Sequence, residues 1–202
     1  MASPNGNSKI KPLYQAQQTV YYSLLMRIID VHTHAFPDKV AANAIPRLEK
    51  EGNIRANLDG TLSGLLRSMD EAGIEKSVVA SIATKPEQFN NIAEWSADIA
   101  SEKIVPFPSV HPDDPNVEEH LEELAARAFR GVKLHPYYQK FSINEKRMFP
   151  IYKKIAEIGL VLLLHTGFDI AFPKDRIADP EKTVDIVERV PDLQLITSHF
   201  GA

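Results

Sequence analysis

The most constraining feature of the chain is a regular alternation of short β-branched runs with longer stretches of helical periodicity. The runs predicted to be strands are 27–31, 76–82, 104–110, 131–134, 160–164 and 193–197. Between them, apolar residues recur every three to four positions at 61–72, 89–100, 117–128, 147–158 and 182–190. Buried strands that alternate with helices of this length are typical of repeated βα units and a parallel sheet. The sequence therefore predicts an α/β fold.

Two parallel architectures compete for this pattern. A closed (β/α)8 TIM-type barrel needs eight βα units in about 250 residues, whereas these 202 residues supply six strands. An open doubly wound sheet fits the length better. However, histidines follow strands 1, 3, 4, 5 and 6, and only in a barrel do all those strand ends meet at one rim. We therefore predict a barrel with about six of its eight units, apparently truncated at its C-terminal side.

Composition narrows the function classes. The net charge is −4, with both signs interspersed, so no basic surface for nucleic acid is expected. The chain contains no cysteine, which leaves histidines and carboxylates as its metal ligands. No apolar stretch is long enough to span a membrane.

Residues 1–25 form a polar extension that lacks a continuous apolar signal segment. It is either sequence upstream of a natural start at Met26 or a disordered arm. The domain is expected to cover residues 26–202, in a cytoplasmic protein.

The strongest metal-binding signal is the pair His32 and His34 at the end of the first strand. Residues two apart on a strand point to the same face, so both imidazoles can bind one ion. The alternative is two unrelated polar residues closing a strand. His165 closes a wholly apolar strand, which is difficult to explain by packing and makes it the third candidate ligand.

Lys133 lies inside the fourth predicted strand, on the same face as His135. A lysine there is costly unless it is paired, modified or faces a polar cavity; the alternative is a side chain that reaches solvent at the strand end. His199 ends the sixth strand and is predicted to face the substrate. His111 is expected in a loop, and His120 is expected to be solvated on a helix.

Four segments resemble successive motifs of the amidohydrolase superfamily, in the branch of metal-dependent hydrolases and aromatic-acid decarboxylases. They are Asp30-Val31-His32-Thr33-His34, Gly131-Val132-Lys133-Leu134-His135-Pro136, Leu164-His165-Thr166-Gly167 and Ser198-His199-Phe200-Gly201. The resemblance covers residues 27–202 and implies a distorted TIM barrel. It implies that His32, His34 and His165 bind the metal and that His199 contacts substrate or the metal-bound water. The family's aspartate ligand on strand 8 has no counterpart in this sequence.

The resemblance implies a hydrolase in which one zinc ion activates water against a small-molecule ester, lactone or amide. Lys133 would offer a cation to an anionic substrate as a free amine; if carbamylated, it would bridge a second ion. Segment 35–57 is expected to be a loop, long for a βα connection, that forms one pocket wall, and segment 168–176 is expected to form the second. One alternative is non-oxidative decarboxylation of an unsaturated or aromatic acid. Another is a non-catalytic metal-binding fragment, whose open edge strands would favour homo-oligomers.

Overall fold

The computed structural model describes residues 27–172 and 175–201, so the predictions for residues 1–25 lie outside it. The strands are β1 (Ile29–Thr33), β2 (Lys76–Ala80), β3 (Ile104–Phe107), β4 (Gly131–Leu134), β5 (Val161–Leu164) and β6 (Leu195–Thr197). The α-helices are α1 (Asp38–Gly52), α2 (Leu62–Ala72), α3 (Phe89–Ile99), α4 (Val117–Ala126), α5 (Pro136–Gln139), α6 (Met148–Glu157) and α7 (Pro180–Arg189). Two 3-10 turns occupy Pro86–Gln88 and Ser198–Gly201.

The strands pair in parallel and in sequence order, as two three-stranded sheets, β1-β2-β3 and β4-β5-β6. A bridge between Ser109 and Lys133 joins the halves, and the Lys133 amide donates to the Pro108 carbonyl at 2.8 Å. Sequential parallel order is that of a (β/α)8 barrel, whereas a doubly wound sheet reverses its strand order. The structure thus confirms a barrel-type fold with six units. No helix within the described residues is long and apolar enough to cross a membrane.

Local signals explain why the predicted helices form. For α2, the Thr61 hydroxyl accepts a hydrogen bond from the Gly64 amide at 3.0 Å, which caps the first turn. The helix ends at Gly73, whose φ of 69° is the left-handed conformation that glycine adopts without strain. Leu65 and Met69 face the core, as the apolar stripe of this segment predicts.

The junction between the two half-sheets depends on Gly131. A Cβ atom at this position would lie 2.3 Å from the Phe107 ring and 2.5 Å from the Val161 carbonyl oxygen. Only glycine therefore permits β4 to approach both neighbouring strands. This close approach fixes the strand that carries Lys133.

The segment 35–57 corrects an expectation, because most of it is helical rather than an irregular loop. Helix α1 runs through Pro46 and ends at Asn53 in a left-handed conformation. An internal proline usually interrupts a helix, so Pro46 is unfavourable for this helix on local grounds. The end of α1 reaches the loop after β5, where a Cβ at Gly52 would lie 3.0 Å from Ile170.

Candidate metal centre

Five histidine rings meet at the carboxyl ends of the strands. The ring centroids of His32 and His34 are 5.0 Å apart, and those of His32 and His199 are 5.1 Å apart. His199 is 4.9 Å from His165, which stacks on His135 at 4.0 Å. These residues follow strands 1, 4, 5 and 6, so the predicted convergence at one rim is present for four of the five strands, and His111 after strand 3 is not part of it.

A bulge in β1 shapes the approach of the first two histidines. The pairing register with β2 shifts between Asp30 and Thr33, so one extra residue lies in β1. The Asp30 carboxylate accepts a hydrogen bond from the His32 amide at 3.1 Å inside the bulge. His34 Nδ1 lies 2.8 Å from the Ala80 carbonyl oxygen. Donation to that carbonyl leaves the lone pair of His34 on Nε2, facing away from the backbone.

Lys133 lies behind these rings and is fully buried. Its Nζ is 3.4 Å from His32 Nε2 and 3.3 Å from Ser198 Oγ. Burial lowers the pKa of Lys133 to about 7. None of the ion pairs found among the described residues involves this amine. Because the side chain is fully buried, the alternative of a lysine that reaches solvent at the strand end is wrong.

His135, His165 and Asp169 form a second, deeper part of the cluster. Asp169 Oδ2 is 3.6 Å from His135 Nε2 and 3.7 Å from His165 Nε2. One ligand atom from each of the three residues lies within 4.8 Å of the others. Burial lowers the pKa of His165 to about 3 and lowers that of His135 well below its usual value. Burial also raises the pKa of Asp169.

The donors of this cluster fit a divalent transition-metal ion. His135 Nδ1 and His165 Nε2 are buried without a hydrogen-bond partner among the described residues, although such atoms are costly to leave unpaired. Neutral imidazoles are the form that binds metal, and imidazole with carboxylate suits zinc and other transition metals. The residue set can hold an ion, therefore, although His135 and Asp169 were not among the predicted ligands. The sequence signal for His135 was its position two residues after Lys133, on the same face of the strand. The signal for Asp169 was its position in the predicted wall 168–176.

Gln139 holds His135 in place from behind. Its Oε1 accepts the His135 amide at 2.7 Å. Its Nε2 donates to the Ala83 carbonyl at 2.9 Å and to the Val110 carbonyl at 2.8 Å. This fully buried amide ties the ends of strands 2, 3 and 4 together. No local pattern marks a glutamine that follows a strand by five residues.

The open side of the cluster carries His34 and His199, which are both exposed. His199 has a φ of 55° in the turn after β6, a left-handed conformation that is uncommon outside glycine. Burial lowers its pKa, and the Lys133 charge acts in the same direction. An exposed ring beside His32 and His165 is accessible to a bound substrate.

The two remaining histidines lie apart from this cluster. His111 is in the loop after β3, as predicted, and its Nδ1 accepts the Asp113 amide at 3.1 Å. The expectation that His120 is solvated is wrong. Its ring stacks on Phe89 with centroids 3.7 Å apart, and Nδ1 lies 2.8 Å from Asp114 Oδ2. Both partners come from other elements, so the helix sequence does not reveal them.

Aromatic side chains border the cluster on the side of the predicted wall 168–176. Phe172 lies 5.6 Å from the Tyr137 ring and 5.3 Å from the Tyr138 ring. Tyr137 donates its hydroxyl to the Gly167 carbonyl at 2.5 Å. Arg176 pairs with Asp179 at 2.8 Å and is exposed, and Lys174 lies outside the described residues.

A parallel barrel-type fold with a histidine-rich rim at its strand ends defines the class of fold: a TIM-type barrel, in which the loops after the strands carry the functional residues. The model of the amidohydrolase family (Amidohydro_2) matches residues 29–202. The chain therefore belongs to the amidohydrolase family. No curated protein matches it.

Solved structures share the fold at low identity. A TIM-barrel protein from Bordetella bronchiseptica matches with a TM-score of 0.64 and 19% identity, over 85% of this chain and 66% of its own. A mutant 5-carboxyvanillate decarboxylase from Novosphingobium aromaticivorans, with bound manganese, gives 0.61 and 16%, over 88% and 67%. A protein described as a probable 2-pyrone-4,6-dicarboxylic acid hydrolase from Acinetobacter baumannii, with citric acid bound, gives 0.53 and 16%, over 87% and 59%. This chain thus spans about two thirds of the length of the first two.

Proposed function

We propose that this protein is a metal-dependent hydrolase that acts on a small-molecule ester, lactone or amide. The observation that carries the proposal is the convergence of five histidine rings, with buried imidazole nitrogens that have no partner among the described residues. The family match supports the same reading. We expect one zinc ion as the cofactor. The similar decarboxylase carries manganese.

His32, His34 and His165 are the proposed ligands from the family resemblance. The hydrogen bond from His34 Nδ1 to Ala80 leaves Nε2 free for coordination, and burial keeps the His165 ring neutral. A bound divalent ion supplies Lewis acidity and lowers the pKa of coordinated water. Loss of either imidazole of the β1 pair would remove one of the three proposed ligands.

Lys133 and His199 are the proposed substrate-facing groups. Lys133 is buried beside His32 and has no carboxylate partner among the ion pairs found in the described part of the chain. An anionic substrate group would hold it in the charged form, because an opposite charge nearby favours ionisation. His199 is exposed and can orient water or donate a hydrogen bond to the oxygen on which charge develops. We prefer a free amine at Lys133; two metal ions per active chain would overturn that preference and favour carbamylation.

Decarboxylation of an unsaturated or aromatic acid is the second candidate. The buried amine of Lys133 favours decarboxylation, because in its charged form it would bind a carboxylate substrate in a site otherwise lined by imidazoles. A structure with this fold is also a decarboxylase that acts on 5-carboxyvanillate. The probable pyrone-dicarboxylic acid hydrolase shares the fold as well, so the two reactions are both compatible with an acidic substrate.

The test assays the full chain, loaded with zinc or manganese, against lactones, esters and amides and against carboxylated phenols. Release of acid without carbon dioxide supports the hydrolase, and release of carbon dioxide supports the second candidate. Stoichiometric metal without turnover of either set would favour a non-catalytic metal-binding protein. His32→Ala should lose both zinc and activity, whereas His120→Ala, which removes a histidine away from the rim, should keep both. Full zinc retention in His32→Ala would show the ligand assignment to be wrong.

A further inference from the structure

Past the last paired residues of β5 and β6, a side chain holds the two strand ends together. The parallel pairing of these strands ends at Leu164 and Thr197. Thr166 Oγ1 then donates a hydrogen bond to the Ser198 carbonyl at 2.8 Å. Directly afterwards the chain turns away at Gly167, whose φ is 79°. The hydroxyl of Thr166 thus extends the contact between the strands by one bond beyond the sheet.

Ser198 is held from a second side by β4. Its Oγ accepts a hydrogen bond from Lys133 Nζ at 3.3 Å. Ser198 and Thr166 are both buried, and a buried carbonyl needs a hydrogen-bond partner within the protein. A valine would fill the space of Thr166 but could not donate to the Ser198 carbonyl. The hydroxyl, rather than the volume, is therefore what this position supplies.

The Ser198 carbonyl also controls the backbone of His199. It shares a rigid peptide plane with the His199 amide, so a bond to this oxygen restricts the rotation that sets the φ of His199. That φ is 55°, a conformation that is unfavourable for residues other than glycine and persists where the surroundings enforce it. The bond from Thr166 fixes the peptide plane on which this conformation depends.

We propose that Thr166 is a positioning residue, whose bond to the Ser198 carbonyl holds the His199 ring over the site. The ring centroid of His199 lies 5.1 Å from that of His32 and 4.9 Å from that of His165, where a substrate bound at the proposed ligands would meet it. The inference rests on the proposed function for the role of His199, and it adds no residue to the proposed ligand set. If Thr166 only satisfied a buried carbonyl, its loss would lower stability without acting through His199.

Amide hydrogen exchange of the full chain, followed by mass spectrometry, tests the bond without any substrate. Thr166→Val removes the hydroxyl and keeps the volume. Exchange over residues 195–201 should become at least about fivefold faster, because a buried carbonyl without a partner favours local opening. Thr166→Ser, which keeps the hydroxyl, should exchange as the wild type does.

Thr183→Val is the matched control for this measurement. Thr183 Oγ1, on α7, is buried with no hydrogen-bond partner among the described residues, so this variant loses no bond and should leave exchange over residues 195–201 unchanged. Unchanged exchange over the same residues in Thr166→Val would overturn the proposal.

Kinetics with a substrate found by the assays above test whether the bond acts through His199. Thr166→Val should lower kcat at least about tenfold with little change in KM, since small displacements of a catalytic group are costly, and Thr166→Ser should restore kcat. In a His199→Ala background, Thr166→Val should have no further effect on kcat, because the ring that it positions is gone. Equal losses of kcat in both backgrounds would overturn the proposal.

Zinc binding separates this inference from a role in holding the metal. The zinc dissociation constant of Thr166→Val should equal that of the wild type. A loss of zinc as complete as that expected for His32→Ala would show that Thr166 supports its neighbour His165, and would overturn the proposal. A wild-type chain that binds zinc but turns over none of the substrates would contradict the proposed function, whereas the exchange measurement would still decide whether Thr166 holds the turn of His199.

Discussion

Lys133 Nζ lies 3.4 Å from His32 Nε2, so an amine from β4 contacts an imidazole from β1 across the interior of the fold. Both groups are basic, and no acid pairs with the amine in the ion pairs of the described residues. Such a contact is unfavourable for a charged lysine, which agrees with the lowering of the Lys133 pKa to about 7 by burial. A site of this kind is suited to a negatively charged ligand.

Replacing the Lys133 amine should therefore lower activity without lowering stability. We expect Lys133→Met to leave the free energy of unfolding unchanged or raise it by up to about 2 kcal/mol, because no buried amine remains to be desolvated. Turnover of an anionic substrate should fall at least about tenfold, with a higher KM. Urea unfolding and steady-state kinetics measure the two effects. Lys153→Met, at an exposed position on α6, should change neither, and unchanged kinetics in Lys133→Met would argue against contact with substrate.

The buried histidines predict how stability depends on pH in the presence of a chelator. His165 and His135 have lowered pKa values in the folded state, whereas an unfolded chain has histidine pKa values near about 6.5. Below that pH the unfolded state binds more protons, so stability is complete above about pH 6.5 and is lost as the pH falls. Urea midpoints at pH 7.5, 6.0 and 5.0 should decrease in that order. His135→Gln should show a shallower decrease, and a midpoint independent of pH over this range would contradict the buried, neutral state of these rings.

Gln139 should be important for both stability and metal affinity. In Gln139→Leu, the His135 amide and the Ala83 carbonyl lose their partner, and the Val110 carbonyl keeps only the Ser109 hydroxyl at 3.3 Å. Each buried group left unpaired costs about 1–3 kcal/mol, so we expect a loss of at least about 2 kcal/mol in urea unfolding. Zinc affinity should also fall, because His135, which stacks on the proposed ligand His165, is no longer fixed. Gln194→Leu, at an exposed position before β6, is the control, and equal stability of the two variants would contradict this role.

Local patterns were sufficient to predict most of the fold. The helix expected over 61–72 is observed at Leu62–Ala72, and the strand expected over 131–134 is observed at Gly131–Leu134. Buried apolar runs and apolar stripes depend on neighbours close in sequence, which is why they can be predicted. Helix α1 could not be predicted from local patterns, because Pro46 is unfavourable inside a helix unless tertiary packing supports it.

The candidate site was predictable only where it follows from strand order. The convergence of His32, His165 and His199 results from placing strand ends on one rim. The approach of Asp169 to His135 depends on a turn within a loop, and the bonds of Gln139 reach carbonyls 29 and 56 residues away. Neither leaves a periodic signal in the sequence.

The edge of β1 leads to a prediction about self-association. β1 pairs only with β2 within the described residues, and Ile29 and Val31 are 52% and 44% exposed. Exposed apolar side chains on a strand that has one neighbour within the described residues favour contact with a second copy of the chain. We expect the mass measured by light scattering to rise with protein concentration.

Ile29→Lys should reduce this association, since a charged residue on an edge strand opposes pairing with another strand. Val40→Lys changes an equally exposed apolar residue on α1, away from the edge, and should leave the mass unchanged. A wild-type chain that stays monomeric at every concentration would contradict the prediction. So would an Ile29→Lys protein that associates as strongly as the wild type, because the contact would then lie on another surface.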